Sequence, residues 1–146
     1  MTTFFIEGTP VAQGSKNAYV RGGRAVLVET SKKLPAWRAA VEQAARGTGA
    51  SYAKGQPVTL DAEFVMPRTQ AMRNRKAPPM VQKPDVDKLL RAVGDGLTAS
   101  GMIHDDSHIV EIRVWKRRAE PGEKTGCWAT VAPYSPRVRQ SPQHED

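Results

Sequence analysis

The period of the apolar positions changes several times along the chain, and each change marks an element. Phe4 to Glu7 is a short apolar run stopped by Gly8 and Pro10, which predicts a strand. Ala18–Val20 and Ala25–Val28 flank Gly22-Gly23, the pattern of a hairpin. Leu34, Trp37, Val41 and Ala44 recur at helical spacing, with Pro35 tolerable in the first turn and Gly47 as a stop. From Pro57 to Val65 the period falls to two, and Val58, Leu60, Ala62 and Phe64 share one face of a half-buried strand. Leu89, Leu90, Val93 and Leu97 stripe a second helix, about Asp87 to Ser100, closed by Gly101. Ile109 to Lys116 alternates again, with Val110, Ile112 and Val114 opposite Glu111, Arg113 and Trp115. A turn from Gly122 to Gly126 leads to a last strand, Cys127 to Ala132. These elements predict an α+β fold: one small domain over residues 1–134, with a mixed β-sheet and two main helices packed on it. Residues 135–146 are polar and Pro-containing, and we expect a disordered tail.

Composition adds a partner class. The formal net charge is +7 and the pI about 9.9, which suits a polyanion. Pro67 to Lys83 has no periodicity, and carries Arg68, Arg73, Arg75, Lys76 and Lys83 with no acidic residue, so it reads as a mobile basic loop. The lone Cys127 lies in an apolar run and leaves no internal disulfide, which makes a reducing, cytoplasmic setting the default. No stretch approaches the ~18 apolar residues of a membrane span, and the N-terminus lacks the pattern of a signal peptide.

Against this basic background, five aspartates gather between Lys83 and Trp115: Asp85, Asp87, Asp95, Asp105 and Asp106. Asp85 and Asp87 introduce the second helix, and Asp105-Asp106 follows it. A single Asp at a helix start is ordinarily a cap; two of them, two residues apart, exceed what capping needs. The helix is roughly 20 Å long at 1.5 Å per residue, so Asp106 reaches the same point only if the chain doubles back, which Gly101 permits. Three converging carboxylates suit Mg²⁺, with Mn²⁺ as a substitute, and together with the basic surplus they point to metal-dependent chemistry on nucleic acid. A calcium loop counted from Asp85 fails, because Leu89, Leu90 and Gly96 stand where oxygen ligands and the glycine are needed. An aspartyl-phosphate enzyme needs an apolar strand before its D-x-D, and PPMVQKP is a poor one. His104 and His108 flank the Asp pair but lack helical phasing for zinc, and Asp95 reads as a surface or supporting group.

The run KPDVDKLLRAVGDGLTASGMIHDDSHIVEIRVWK resembles the RusA family of Holliday junction resolvases. Its D-x-D, the helix with a basic residue near its first turn, the Asp-Gly-Leu step, the D-D pair and the strand ending in Lys carry the likeness. The Gly-x-Pro opening with Lys16 after it and the strand ending FVMPR extend it more weakly over about residues 3 to 132. The resemblance implies metal-binding catalytic roles for Asp85, Asp87 and Asp106, with Asp105 at a neighbouring acidic position. Arg91 stands where the family commonly has a catalytic lysine, and keeps the charge while losing the readily donated proton. Lys88 replaces a usual Asn, and Lys116 matches a basic residue at the strand end. The family implies a homodimer that nicks four-way DNA junctions symmetrically, in a bacterium or a phage. Lys16, Arg21, Arg24, Arg68, Arg73, Arg75, Lys76, Lys88 and Lys116 are the candidate DNA contacts. Because Lys88 and Arg91 depart from the pattern, a catalytically silent branched-DNA binder of prophage origin is the second expectation.

Overall fold

The computed structural model describes the backbone of residues 1–14, 16–21, 24–29 and 32–136, and the side chains of residues 1–14 and 32–136. Six strands and two helices follow in the order β1 (Thr2–Glu7), β2 (Lys16–Arg21), β3 (Arg24–Glu29), α1 (Leu34–Gly47), β4 (Val58–Met66), α2 (Val86–Ser100), β5 (Ile109–Arg118) and β6 (Gly126–Pro133). The hairpin is confirmed: β2 and β3 pair antiparallel, with Arg21 opposite Arg24. The expected Gly22-Gly23 turn lies outside the described residues, as does most of the expected tail.

The other four strands form one mixed sheet in the order β1-β6-β4-β5. β6 runs antiparallel to β1 and to β4, whereas β4 and β5 are parallel. A parallel pair needs a crossover, and α2 supplies it. The architecture is therefore α+β, as the alternating periods required. Val58, Leu60, Ala62 and Phe64 of β4, Ile6 of β1 and Cys127, Ala129 and Val131 of β6 point to one face. Leu34, Trp37, Val41 and Ala45 of α1 and Leu89, Ala92, Val93 and Leu97 of α2 close over them as a single core. Burial pushes the Cys127 thiol up to about 12, with the nearby charge of Glu63 acting the same way, so the residue is a packing group.

The two helices cross closely. A Cβ built on Gly96 would lie 2.5 Å from Val41 Cγ1 and 2.7 Å from Val41 Cβ, so only glycine permits this approach. Among the described residues, no helix covers the other sheet face. Its central row, read across the register, is Phe5, Trp128, Glu63 and Trp115. The Phe5 and Trp128 rings are 4.8 Å apart, and Trp115 Nε1 donates to Glu63 Oε2 at 2.7 Å.

The expected apolar face of β5 is buried only in part: Val114 packs against the core. Val110 and Ile112 are 52% and 45% exposed. β5 is an edge strand, and its register with β4 shifts between Val58 and Thr59, which leaves Val110 without a partner opposite it. The basic loop is also more ordered than its composition implies. Arg68 donates to the carbonyls of Ala119 (2.8 Å), Arg73 (2.8 Å) and Arg75 (2.5 Å), folding the loop around its guanidinium over a short 3₁₀ turn, Gln70–Met72.

Two stability predictions follow from this packing. On an open helix Gly→Ala would stabilise by about 1 kcal/mol; Gly96→Ala should instead destabilise by about 1–3 kcal/mol, through overpacking against Val41. Urea unfolding of the variant at a midpoint equal to or above the parent's would show that the crossing is not tight. The second prediction concerns the β5–β6 turn, where Arg117 grips both oxygens of Glu123 at 2.6 and 2.7 Å. This bond, helped by the Glu120 N–H, lowers the Glu123 carboxyl from 4.5 to about 2. A depressed carboxylate stabilises the fold above its unfolded value and loses that contribution as pH falls towards the folded one. Glu123→Gln should therefore melt below the parent at neutral pH, with the gap closing between pH 4.5 and about 2; a gap independent of pH in thermal scans refutes the assignment.

Candidate active site

The site is built along the solvent-facing side of α2. Pro84 delivers the chain to Asp85, whose backbone is extended (φ −72°, ψ 143°) and which occupies the position just before the first helical turn. Its side chain makes no capping hydrogen bond, and Asp87 stands exposed in the first turn. Both carboxylates are thus free of the structural duty that residues here usually perform. Lys88 Nζ lies 4.0 Å from Asp85 Oδ2, a loose pairing with both side chains open to water. The segment before Asp85 is held from the sheet. Lys116 Nζ donates to the carbonyls of Gln82 (2.5 Å) and Pro84 (2.8 Å), so this lysine, a candidate DNA contact, is placed as an anchor for the Asp85 loop.

At the far end of α2 the chain does double back. Gly101 adopts the left-handed conformation (φ 83°), Ser100 Oγ accepts the Met102 N–H at 3.1 Å, and Met102 and Ile103 enter the core. Asp105 caps the following 3₁₀ turn, Asp106–His108, by accepting the Ser107 N–H at 2.8 Å, and this bond holds its carboxyl below the usual range. Asp106 turns to the helix. Thr98 Oγ1 donates to its Oδ1 at 2.5 Å, and a Cβ on Gly94 would lie 3.6 Å from its carboxyl group. Partial burial raises the Asp106 carboxyl above its ordinary value; the Thr98 bond opposes this, and the neighbouring charges of Asp95 and Asp105 reinforce it.

Asp87, Arg91, Gly94 and Thr98 recur at intervals of four, three and four residues, and so form one stripe of α2. Arg91 and Asp106 line the same cleft of 160 Å³ with Leu60, Leu90, Gly94, Ile109 and Ile112. The expected triad is only partly gathered. Asp106 meets the stripe at Gly94–Thr98, about 10 to 16 Å along the axis from Asp87 at 1.5 Å per residue. Among the described residues, no three His, Cys, Asp or Glu side chains come together in a way that could hold a metal ion. The donors fit a hard divalent cation in kind, being carboxylates without capping bonds; in placement, Asp106 is held apart from the other two by its threonine.

Arg73, Arg75 and Lys76 are exposed, although Arg75 also donates to Ala71 O at 2.7 Å, while Arg68 is spent on the carbonyls of Arg73, Arg75 and Ala119. The side chains of Lys16, Arg21 and Arg24 lie outside the described set. His104 and His108 stack edge to face, with centroids 6.5 Å apart. Asp95 is not merely solvated: the Gln13 side-chain amide donates to it, and Arg38 Nη1 lies 3.7 Å away. Gln13, Gly14 and Thr98 are site residues that sequence reasoning missed. The spacing of Thr98 from Asp87, Arg91 and Gly94 was a usable signal for it; nothing local distinguished Gln13 or Gly14.

Comparison with known proteins adds one finding. The family model for endodeoxyribonuclease RusA matches residues 7–124, which takes in all the elements of the site. No curated protein matches the chain. With most of the chain covered, and with the uncapped D-x-D at the start of α2, the basic residue one turn on and the Asp pair in the turn after the helix, the chain belongs to the RusA family of endodeoxyribonucleases, the Holliday junction resolvases.

Proposed function

We propose that this chain hydrolyses phosphodiester bonds in four-way DNA junctions, working as a homodimer that makes paired, symmetric nicks in recombination and repair. A two-fold dimer would present two equal sites to a nearly two-fold substrate. The observation that carries the reading is the pair Asp85 and Asp87: two exposed carboxylates at a helix start, neither used as a cap, on a chain of net charge +7. Arg73, Arg75 and Lys76 supply exposed cations for phosphate contacts, which would be salt-sensitive and largely blind to sequence. Arg91, in the cleft beside Asp106, would stabilise negative charge developing on the phosphate.

Mg²⁺ is the proposed cofactor, held by Asp85, Asp87 and Asp106. When bound, such an ion polarises the phosphodiester and lowers the pKa of an attacking water. For Asp106 to join the other two, its bond to Thr98 must be exchanged and the turn that carries it must shift towards the start of α2. Asp105 keeps the 3₁₀ turn in shape through the Ser107 N–H while Asp106 points to the helix. Lys116 keeps the approach to Asp85 fixed from the sheet side.

The test is cleavage of a synthetic four-way junction. Asp85→Asn should lower the rate by at least about 100-fold, as expected when charge stabilisation at the reacting phosphate is lost, and should leave junction binding intact. Removing divalent ions with EDTA should abolish nicking, and Mg²⁺ should restore it. A parent that binds the junction and nicks it with no divalent ion, or an Asp85→Asn variant as fast as the parent, overturns the proposal.

A further inference from the structure

The connection after β1 lies along α2 as a strap. At its start, Gly8 (φ +145°) passes under the Trp37 ring, which would sit 3.4 Å from any added Cβ. The Gly8 N–H donates to Thr125 O at 3.2 Å, and Thr125 Oγ1 returns a bond to Gly8 O at 2.9 Å. Val11 packs against the core. At its far end the strap is tied to α2 by one residue. The Gln13 N–H donates to Lys88 O at 2.9 Å, and the Gln13 side-chain amide donates to the Asp95 carboxylate. These two anchor points lie three residues before and four residues after Arg91, so Gln13 brackets that residue by one helical turn on each side.

Gly14 follows, with φ +115°, and its backbone lies against the Arg91 side chain. A Cβ at position 14 would fall 2.5 Å from Arg91 Nη1, 3.4 Å from Cζ and 3.5 Å from Cδ. Arg91 is a long side chain on the outer face of a helix, and water alone would leave it several rotamers. The Gly14 backbone occupies part of the space that those rotamers would sweep. Resting on the reading of Arg91 as the charge-stabilising group of the nuclease site, we propose that Gly14, fixed by Gln13, is a positioning residue that holds the Arg91 guanidinium over the cleft it shares with Asp106.

The proposal specifies what a methyl group at position 14 does. Its nearest contact is the far end of a flexible side chain, so the guanidinium yields while the fold persists. Single-turnover cleavage and binding of a four-way junction should therefore respond differently. Gly14→Ala should slow cleavage on the order of 100-fold, the scale of an ångström-sized misplacement of a reacting group, while junction affinity stays within about two-fold, because a group used only in the transition state does not set ground-state binding. In an Arg91→Ala background, Gly14→Ala should cost nothing further, since the clash and the group it displaces are both gone. Gly55→Ala serves as a control for a positive φ outside the site: Gly55 has φ +84° with nothing within 4 Å of its Cβ, and the variant should cut nearly as fast as the parent. Should Gly14→Ala fail to fold, Gln13→Ala removes the tie to Asp95 without backbone strain, and should slow cleavage in the parent and not in Arg91→Ala. A Gly14→Ala enzyme within about two-fold of the parent, or losses that multiply in the double variant, overturns this role alone. A parent chain that nicks no junction in any divalent metal overturns the nuclease reading, and this role with it.

Discussion

α2 must bury Leu89, Ala92, Val93 and Leu97 against the sheet, and that requirement sets where every charged group of the site can stand. A helix with one side committed to the core has its opposite side fixed in direction. Asp87, Arg91, Gly94 and Thr98 fall in line beside that face, exposed at Asp87 and Arg91, buried at Gly94 and half-buried at Thr98, because their spacing follows from that of the buried residues. The burial is not negotiable: β4 and β5 are parallel, and the crossover between them has to lie on the sheet. Fold and site therefore rest on the same packing event.

Glycine recurs where this packing brings groups close together. Gly96 lets α1 and α2 approach through Val41, Gly94 leaves room for the Asp106 carboxyl, and Gly14 leaves room for Arg91. At Gly96 and Gly14 an added methyl group would come within 2.5 Å of its neighbour, whereas at Gly94 it would meet the Asp106 carboxyl in ordinary contact at 3.6 Å; each serves a different pair: helix on helix, strap on guanidinium, carboxylate on helix. The D-G-L step in the middle of α2, which costs helix propensity, is explained by the first of these contacts.

Charge is divided in a comparable way. Arg68, Arg117 and Lys116 look like part of a general basic surplus, yet each is bound to named acceptors: the loop carbonyls, Glu123, and the carbonyls before Asp85. On the loop, Arg73, Arg75, Lys76 and Lys83 stay exposed and Arg68 does not. The acidic groups divide too. Asp105 shapes a turn and Asp95 ties the strap, which leaves Asp85 and Asp87 without a capping task and Asp106 held by Thr98.

Much of this was legible in the chain itself. The two helices, the hairpin and the strand over residues 58–66 follow from local periods of 3.6 and 2, which are properties of neighbouring residues. The D-x-D and D-D motifs, and the family they mark, are equally local. Tertiary structure decided the rest. Val110 and Ile112 are exposed because β5 falls at the sheet edge with a register shift, and strand order is not encoded in the alternation of one strand. Arg68 and Lys116 became anchors because carbonyls distant in sequence reached them. Gln13 and Gly14 met α2 across more than seventy residues, where no spacing rule applies. Asp106 stopped at Thr98, about three helical turns from Asp87 at 3.6 residues per turn, because where a returning chain halts depends on the packing of Met102 and Ile103 beneath it. The sequence by itself determined which groups carry the chemistry; their distances were set only when the hydrophobic core closed.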